Sequence, residues 1–192
     1  FPHMFPEIIR TAIEHPEIDI LSCSLNEPHR NIRAYYPRMY EAKFVTGAIA
    51  GALCRNHRLG YISKYPIYGA IADINAFARG ARMTDPEAEV YLEWSCTKDC
   101  DIDWDIARIN PSCISGKDMV IPDVGSRFFG IYHMVDGEPV NLAMPIIHWG
   151  KFYEQLIRTI MDGTWKYDDN PSEKKAINYW WGMSSDMVDV IT

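Results

Sequence analysis

The sequence is short of positive charge. It has 19 lysines and arginines against 26 aspartates and glutamates, a formal net charge of −7, and no cluster of basic residues. That balance excludes a surface built to hold a nucleic-acid backbone, so no nucleic-acid partner is expected. A membrane-spanning run is lacking too. The most suggestive stretch, FVTGAIAGALC at 44–54, is about half of the ~20 residues that a spanning helix needs. The opening FPHMFPEIIR has no charged start, apolar centre or small-residue cleavage site, so the sequence reads as a mature or truncated piece. Asn110 and Asn170 are each followed by Pro-Ser, and proline there excludes the glycosylation sequon.

Reactive and metal-binding signatures are equally scarce. Five cysteines (Cys23, Cys54, Cys96, Cys100, Cys113) are an odd number in a chain too large to need staples, which argues against a full disulfide framework. Cys96 and Cys100 form a C-x3-C with no second pair nearby, and the six histidines are scattered, so no zinc site is expected. The run Asp99, Asp101, Asp103, Asp105 alternates like a calcium loop. Trp104, however, occupies the turn position that needs glycine, and Asn110 stands where the bidentate glutamate belongs. Gly47 and Gly51 fall late in a helical pattern instead of between a strand and a helix start, and no Gly-Lys-Ser/Thr follows, which excludes a phosphate loop. No acid/base pair, Cys/His nucleophile or nucleophile elbow stands out; no catalytic residue, metal or cofactor is expected.

What remains is an ordinary globular balance, 47% hydrophobic and 23% charged, enough for one domain or two small lobes. Apolar residues at helical spacing follow Pro6 and stop at His15-Pro16, after which IDILSC reads as a strand. A polar loop, SLNEPHRN, leads to a helix over about 37–54, with Arg38, Glu41 and Lys43 in its more exposed first turns. LGYIS is a strand, 70–83 a helix, and VYLEW a second strong strand. Strands alternating with helices predict parallel β-α-β units and an α/β class. Beyond residue 97, SCIS and FFGIYHM read as strands, 149–161 as a helix ending at Asp162-Gly163, and INYWWGM and VDVI as terminal apolar segments. Glycines inside a helix cost about 1 kcal/mol each, so Gly47 and Gly51 imply a neighbour packed very close.

Open α/β sheets take ligands outside the carboxyl ends of their strands. Tyr65 and Tyr68 follow LGYIS, Trp94 ends VYLEW, and Trp149 opens a helix; each could stack on a flat ligand or simply pack in the core. Asp118, in SGKDM, could accept hydrogen bonds from ligand hydroxyls or ammonium groups, or serve its own loop as a cap.

Taken in order, IRAYYPRMYEAKFVTGAIAGAL, RLGYISKYPI and INAFARGARMTDPEAEVYLEW resemble the basic membrane protein (BMP) family of solute-binding proteins. The family pattern is R-x-Y-E-A-x-x-x-x-G-x-x-A-G on a helix, an I-G-Y/F-V strand, and N-x-F-x-x-G-A leading through N/D-P to a strand. DGTW after the 149–161 helix and the terminal YWWG with V-D extend the likeness over nearly the whole chain.

The resemblance implies a type I periplasmic-binding fold: two Rossmann-like lobes with parallel sheets, joined by hinge strands and closing on a ligand. It assigns 1–57 to a first lobe, 58–145 to a second, and 146–192 to the hinge return and C-terminal section. The first lobe is incomplete in this sequence, and either a further N-terminal segment or a second copy would have to complete its sheet. The implied function is the ligand-binding component of an ABC-type importer, taking a small polar, nucleoside-like molecule. The implied partner is a permease, and the implied location extracytoplasmic, anchored through a lipoprotein N-terminus not in this chain. A cytoplasmic ligand-sensing regulator on the same fold is the alternative, and an enzyme acting on a nucleoside or sugar ranks behind both. Two departures stand out. Tyr132 occupies the place where a G-V-D strand end usually supplies a carboxylate, and the first-lobe strand ends in Ser24-Leu25-Asn26 where many members carry Asp. The candidate ligand-binding residues are Asn26, Tyr36, Tyr65, Cys96, Asp118 and Trp149, with Asn26 and Asp118 bonding polar groups and the aromatics stacking.

Overall fold

A computed structural model describes residues 4–24, 29–97, 106–118, 128–163 and 179–192. Asn26, the acidic run Asp99 to Asp105 and the polar loop 166–175 lie outside the described residues. In chain order the elements are α1 (Phe5–Glu14), β1 (Ile20–Cys23), β2 (Ile32–Pro37), α2 (Met39–Leu53), β3 (Arg58–Ser63), α3 (Tyr68–Thr84), β4 (Glu89–Trp94), β5 (Cys113–Ser115), β6 (Ile131–Val135), β7 (Glu138–Ile147), α4 (Trp149–Met161), β8 (Tyr179–Trp181) and β9 (Val188–Ile191). Contacts divide the chain into two compact units, Phe1–Arg38 with His148–Met187, and Met39–Ile147 with Val188–Thr192. The division falls at 38/39, where the sequence reading places it near 57, because α2 packs on α3 in the second unit.

In the first unit β1, β2 and β8 form a parallel sheet in the order β1-β2-β8. α1 starts with proline in its first turn and stops where the His15 N–H bonds the Thr11 carbonyl, as the His15-Pro16 signal predicts. Its exit is held by Asn31, which is buried and donates from Nδ2 to the carbonyls of Ala12 (3.1 Å) and Ile18 (2.9 Å). That one amide satisfies backbone acceptors that the turn would otherwise bury unpaired. α4 lays Phe152 and Leu156 inward, and the Phe152 ring stacks on Tyr35 of β2 at 4.7 Å.

The second unit carries a six-stranded sheet in the order β4-β3-β5-β6-β7-β9. β3 pairs in parallel with β4 and β5, and the remaining pairs are antiparallel. The βαβ reading is thus borne out for the first half of this sheet, and the antiparallel half is an addition. β6 and β7 form a hairpin through Asp136-Gly137, both at positive φ (51° and 85°), the conformation a two-residue primed turn demands. β7 tolerates two prolines because neither is flanked on both sides. Pro139 pairs only with β6, and Pro145 lies beyond the last β6 pair, facing β9 alone.

α2 and α3 meet along a seam of small residues. A Cβ at Gly47 would overlap the Phe77 carbonyl, one at Gly51 the Ala81 carbonyl, and one at Gly80 the Phe44 carbonyl. The neighbour that the glycines imply is therefore the backbone of α3. Leu59, Tyr61, Phe77, Cys113 and Ile131 fill the core beneath this pair. Gly47→Leu should destabilise the protein by about 1 to 3 kcal/mol through overpacking. A drop in the urea midpoint at constant slope would report it, and an unchanged midpoint would contradict the seam.

Candidate functional site

One buried ion pair of the second unit lies by the carboxyl end of β5, next to β3. β5 is short, and the chain after it is held by backbone bonds to the segment that precedes β6. The Gly116 N–H donates to the Gly130 carbonyl (2.7 Å), and the Gly130 N–H to the Lys117 carbonyl (2.8 Å). Both glycines are required there. A side chain on Gly116 would strike the Phe128 carbonyl, while Gly130 sits at φ 61° against the backbone of Ala143 and Met144. This clamp fixes Asp118 two residues further on.

Opposite it stands Lys43. Read from sequence as part of an exposed first turn, Lys43 is instead 1% exposed. Its position is set by the helix period: Met39, Ala42, Lys43 and Thr46 share the buried face of α2. The aliphatic stem occupies apolar space, and the ammonium emerges among acceptors. Lys43 Nζ donates to Asp118 Oδ1 at 2.5 Å and to Ser115 Oγ at 3.1 Å, and lies 5.1 Å from the centre of the Tyr61 ring. Ser115 is fully buried, whereas Asp118 is 28% exposed. A buried ammonium is tolerable only when paired and hydrogen-bonded, and all three neighbours serve that end.

Asp73, one turn into α3, is the second carboxyl. Burial, with the negative charge of Asp118 added, pushes it up to about 7, and Lys43 only partly opposes the shift. The Tyr61 hydroxyl is pushed far up by burial and by the same two carboxylates. Near neutral pH Asp73 therefore sits at the midpoint of its titration.

Three sequence candidates follow strand ends of this sheet. Asp118 is the one that engages Lys43. Tyr65 is 51% exposed after β3, with the Lys64 ammonium 5.4 Å from its ring centre. Cys96 lies in a 3-10 turn, Ser95–Thr97, after β4 as a free, half-buried thiol. Among the described residues no hydrogen bond or ring contact joins either one to Asp118. In the first unit Tyr36 is paired opposite Trp180, and strand alternation turns its neighbour Tyr35 to the other face. It is Tyr35 that meets Trp149, edge-on at 6.0 Å, while Trp149 stacks on Tyr153 at 6.3 Å. The Tyr35 and Tyr153 hydroxyls are 2.9 Å apart. Trp149 thus belongs to a packed aromatic group within its own unit. Lys43 and Asp73 escaped the sequence reading; the signal for Lys43 is a charge on the apolar face of a helix.

Residues 5–135 match the Bmp family, ABC transporter substrate-binding protein PnrA-like. The chain belongs to that family. It is 27% identical over 201 residues to a purine-binding protein of Brucella abortus, covering 98% of this chain and 55% of that one. A putative ABC transporter glucose-binding protein of Haloferax volcanii is 26% identical over 190 residues, covering 91% and 46%. The chain spans about half the length of these curated relatives. Among solved structures, a solute-binding protein of an ABC transporter system from Conexibacter woesei superposes with a TM-score of 0.59 at 12% identity, covering 96% of this chain and 64% of that one. A transcriptional activator of the comK gene from Bacillus halodurans does so at 0.60 and 13%, covering 95% and 65%. At such identities the likeness shows the fold, an α/β, type I periplasmic-binding architecture.

Within this Bmp chain the departure at Tyr132 is structural. The ring is 5% exposed and packs with Ile106 and Ile114, and burial followed by the charge of Glu93 pushes its hydroxyl up. The side chain at that position is a packed ring, and the nearby carboxyls of this unit are those of Asp118, after β5, and Asp73, on α3.

The sign of the Asp73 effect on stability is fixed by its raised value. The folded state holds the proton more tightly than the unfolded chain, so the contribution is full below about pH 4 and lost as pH rises through about 7. Asp73→Asn should therefore gain on the wild type as pH rises across that window. Urea unfolding of both proteins at several pH values would show the gap widen, and a constant gap would contradict the assignment.

Proposed function

We propose that this Bmp-family chain is the ligand-binding part of an ABC importer's solute-binding protein, and that its second unit takes a small polar, nucleoside-like ligand at Asp118. The observation that carries the reading is the Lys43–Asp118 pair at the carboxyl ends of β3 and β5. A carboxylate held by a buried ammonium is preorganised: it loses little freedom when a ligand hydroxyl or amine donates to it. Relatives named for purine and for glucose binding take small molecules rich in hydrogen-bonding groups, which suits such a site. Tyr65, exposed beside the same strand ends, is the aromatic candidate for stacking on a base, with Cys96 at the next strand. Asn26, Tyr36 and Trp149 are the candidates of the first unit. On this reading the ligand is bound and released unchanged, the protein works outside the cytoplasm as a lipid-anchored subunit, and a permease receives the ligand.

Calorimetry on the complete protein with adenosine, guanosine and inosine tests the reading. Asp118→Asn should weaken binding by about 10- to 100-fold, since a hydrogen bond to a charged group contributes roughly 1.5 to 3 kcal/mol. An unchanged isotherm would remove Asp118 from the site.

A further inference from the structure

Asp118 follows the carboxyl end of β5. At the amino ends of β3 and β5, the loop after α2 and the segment before β5 line a cavity of about 310 Å³. β5 pairs with β6 only at Ile114 and Ser115, so the chain before β5 parts from the end of β6, and both flank the cavity. Its walls are tied together. The N–H groups of Arg55 and Asn56 donate to Ser112 Oγ (3.1 and 3.3 Å), the Ser112 hydroxyl donates to Asn56 Oδ1 (2.5 Å), and Asn56 Nδ2 donates to the Asn110 carbonyl (2.8 Å). This network holds Asn110 at φ 50°, a left-handed conformation that asparagine tolerates, and it engages the Asn56 amide and the Ser112 hydroxyl. What it leaves over is cationic and apolar. Among the described residues neither the Arg55 guanidinium nor the His133 imidazole has a hydrogen bond or ion pair, and both residues line the cavity. The chain has more acidic than basic residues, yet no carboxylate is among the described residues of the lining. Leu53 and Met134, each 49% exposed, and the buried Ile114 supply the apolar part.

We propose that this cavity, at the end of β5 away from Asp118, binds a small organic acid: a carboxylate carried on a compact apolar body. The Arg55 fork takes the two carboxylate oxygens, the pairing in which a guanidinium bonds most strongly, and His133 adds an N–H from β6. The apolar body lies on Leu53, Ile114 and Met134, removing from water side chains that are otherwise half exposed. Neither half of such a ligand suffices alone. Inorganic phosphate would meet the fork and leave the apolar residues uncovered, while a neutral molecule of the same shape would cover them and leave the guanidinium unpaired. The volume stands at the small end of the range for small-molecule sites, which limits the ligand to one ring or a short chain. Because hydrogen bonds already fix the walls, little freedom is lost there when the ligand enters.

The test is calorimetry on the complete protein with benzoate, benzamide and inorganic phosphate. Benzoate should bind saturably, and benzamide and phosphate should each bind at least about tenfold more weakly. Arg55→Gln removes the fork without breaking a side-chain bond of the fold and should weaken benzoate at least about tenfold. Leu53→Glu, which sets a carboxylate on the lining, should weaken it as much. Arg10→Gln, which removes an exposed arginine of α1 in the first unit, should leave benzoate binding within about twofold of the wild type. Melting curves show which variants are folded, and Arg55→Gln decides the matter if Leu53→Glu is not. Benzoate that fails to saturate overturns the proposal, as does benzamide or phosphate binding as tightly as benzoate. So does a folded Arg55→Gln protein that binds benzoate like the wild type, or an Arg10→Gln protein weakened as much as Arg55→Gln, which would reduce the effect to net charge.

Discussion

The buried ammonium of Lys43 is the constraint around which the second unit is arranged. Desolvating it is costly, and the structure offsets that cost with a hydroxyl from the end of β5, a carboxylate from the turn after it and a ring face from β3. Each segment has to be delivered accurately. The glycine seam lets α2 approach α3 closely, which brings Lys43 and Asp73 into range of each other. The Gly116–Gly130 backbone clamp holds the turn that presents Asp118. β3 and β5 lie side by side in parallel, so Tyr61 is paired in register with Ser115, next to the same ammonium.

Much of this frame was legible in the sequence and part of it was not, for physical reasons. The helices announced themselves through periodicity and proline stops, and the strands LGYIS and VYLEW through β-branched and aromatic runs. β7 was hidden because Pro139 and Pro145 argue against a central strand, and only the pairing pattern shows that each has an open side. Asp136-Gly137 was the available hint, a two-residue turn signal between MV and EPV. The glycines were read as a close-packing surface, which the α2–α3 seam bears out, but their partner could not be named from local pattern.

The candidate site divides in the same way. Asp118 drew attention as a carboxylate just after a predicted strand, with a ligand-bonding role and a capping role both open. Lys43 was not legible, since a lysine near a helix start is ordinarily solvated, and its burial depends on acceptors more than seventy residues away in the chain. Trp149 and Tyr36 show the limit of strand-end reasoning: an aromatic residue at such a position can equally be claimed by packing, and Trp149 is, by Tyr35 and Tyr153. In this Bmp-family chain a buried tyrosine, Tyr132, stands where the resemblance leads one to expect an acid, and Asp118 lies after the neighbouring strand, paired with Lys43.

The central claim is that Lys43 and Asp118 act as one unit, and a double-mutant cycle in urea unfolding measures that directly. Lys43→Met and Asp118→Asn should each destabilise the protein, the lysine-free or carboxylate-free state leaving its partner uncompensated at a cost of up to about 3 to 5 kcal/mol. The double variant should be more stable than the sum of the single losses predicts, with a coupling of at least about 1 kcal/mol. Losses that add to within about 0.5 kcal/mol would mean that the two groups do not hold each other, and the account of the site would fail.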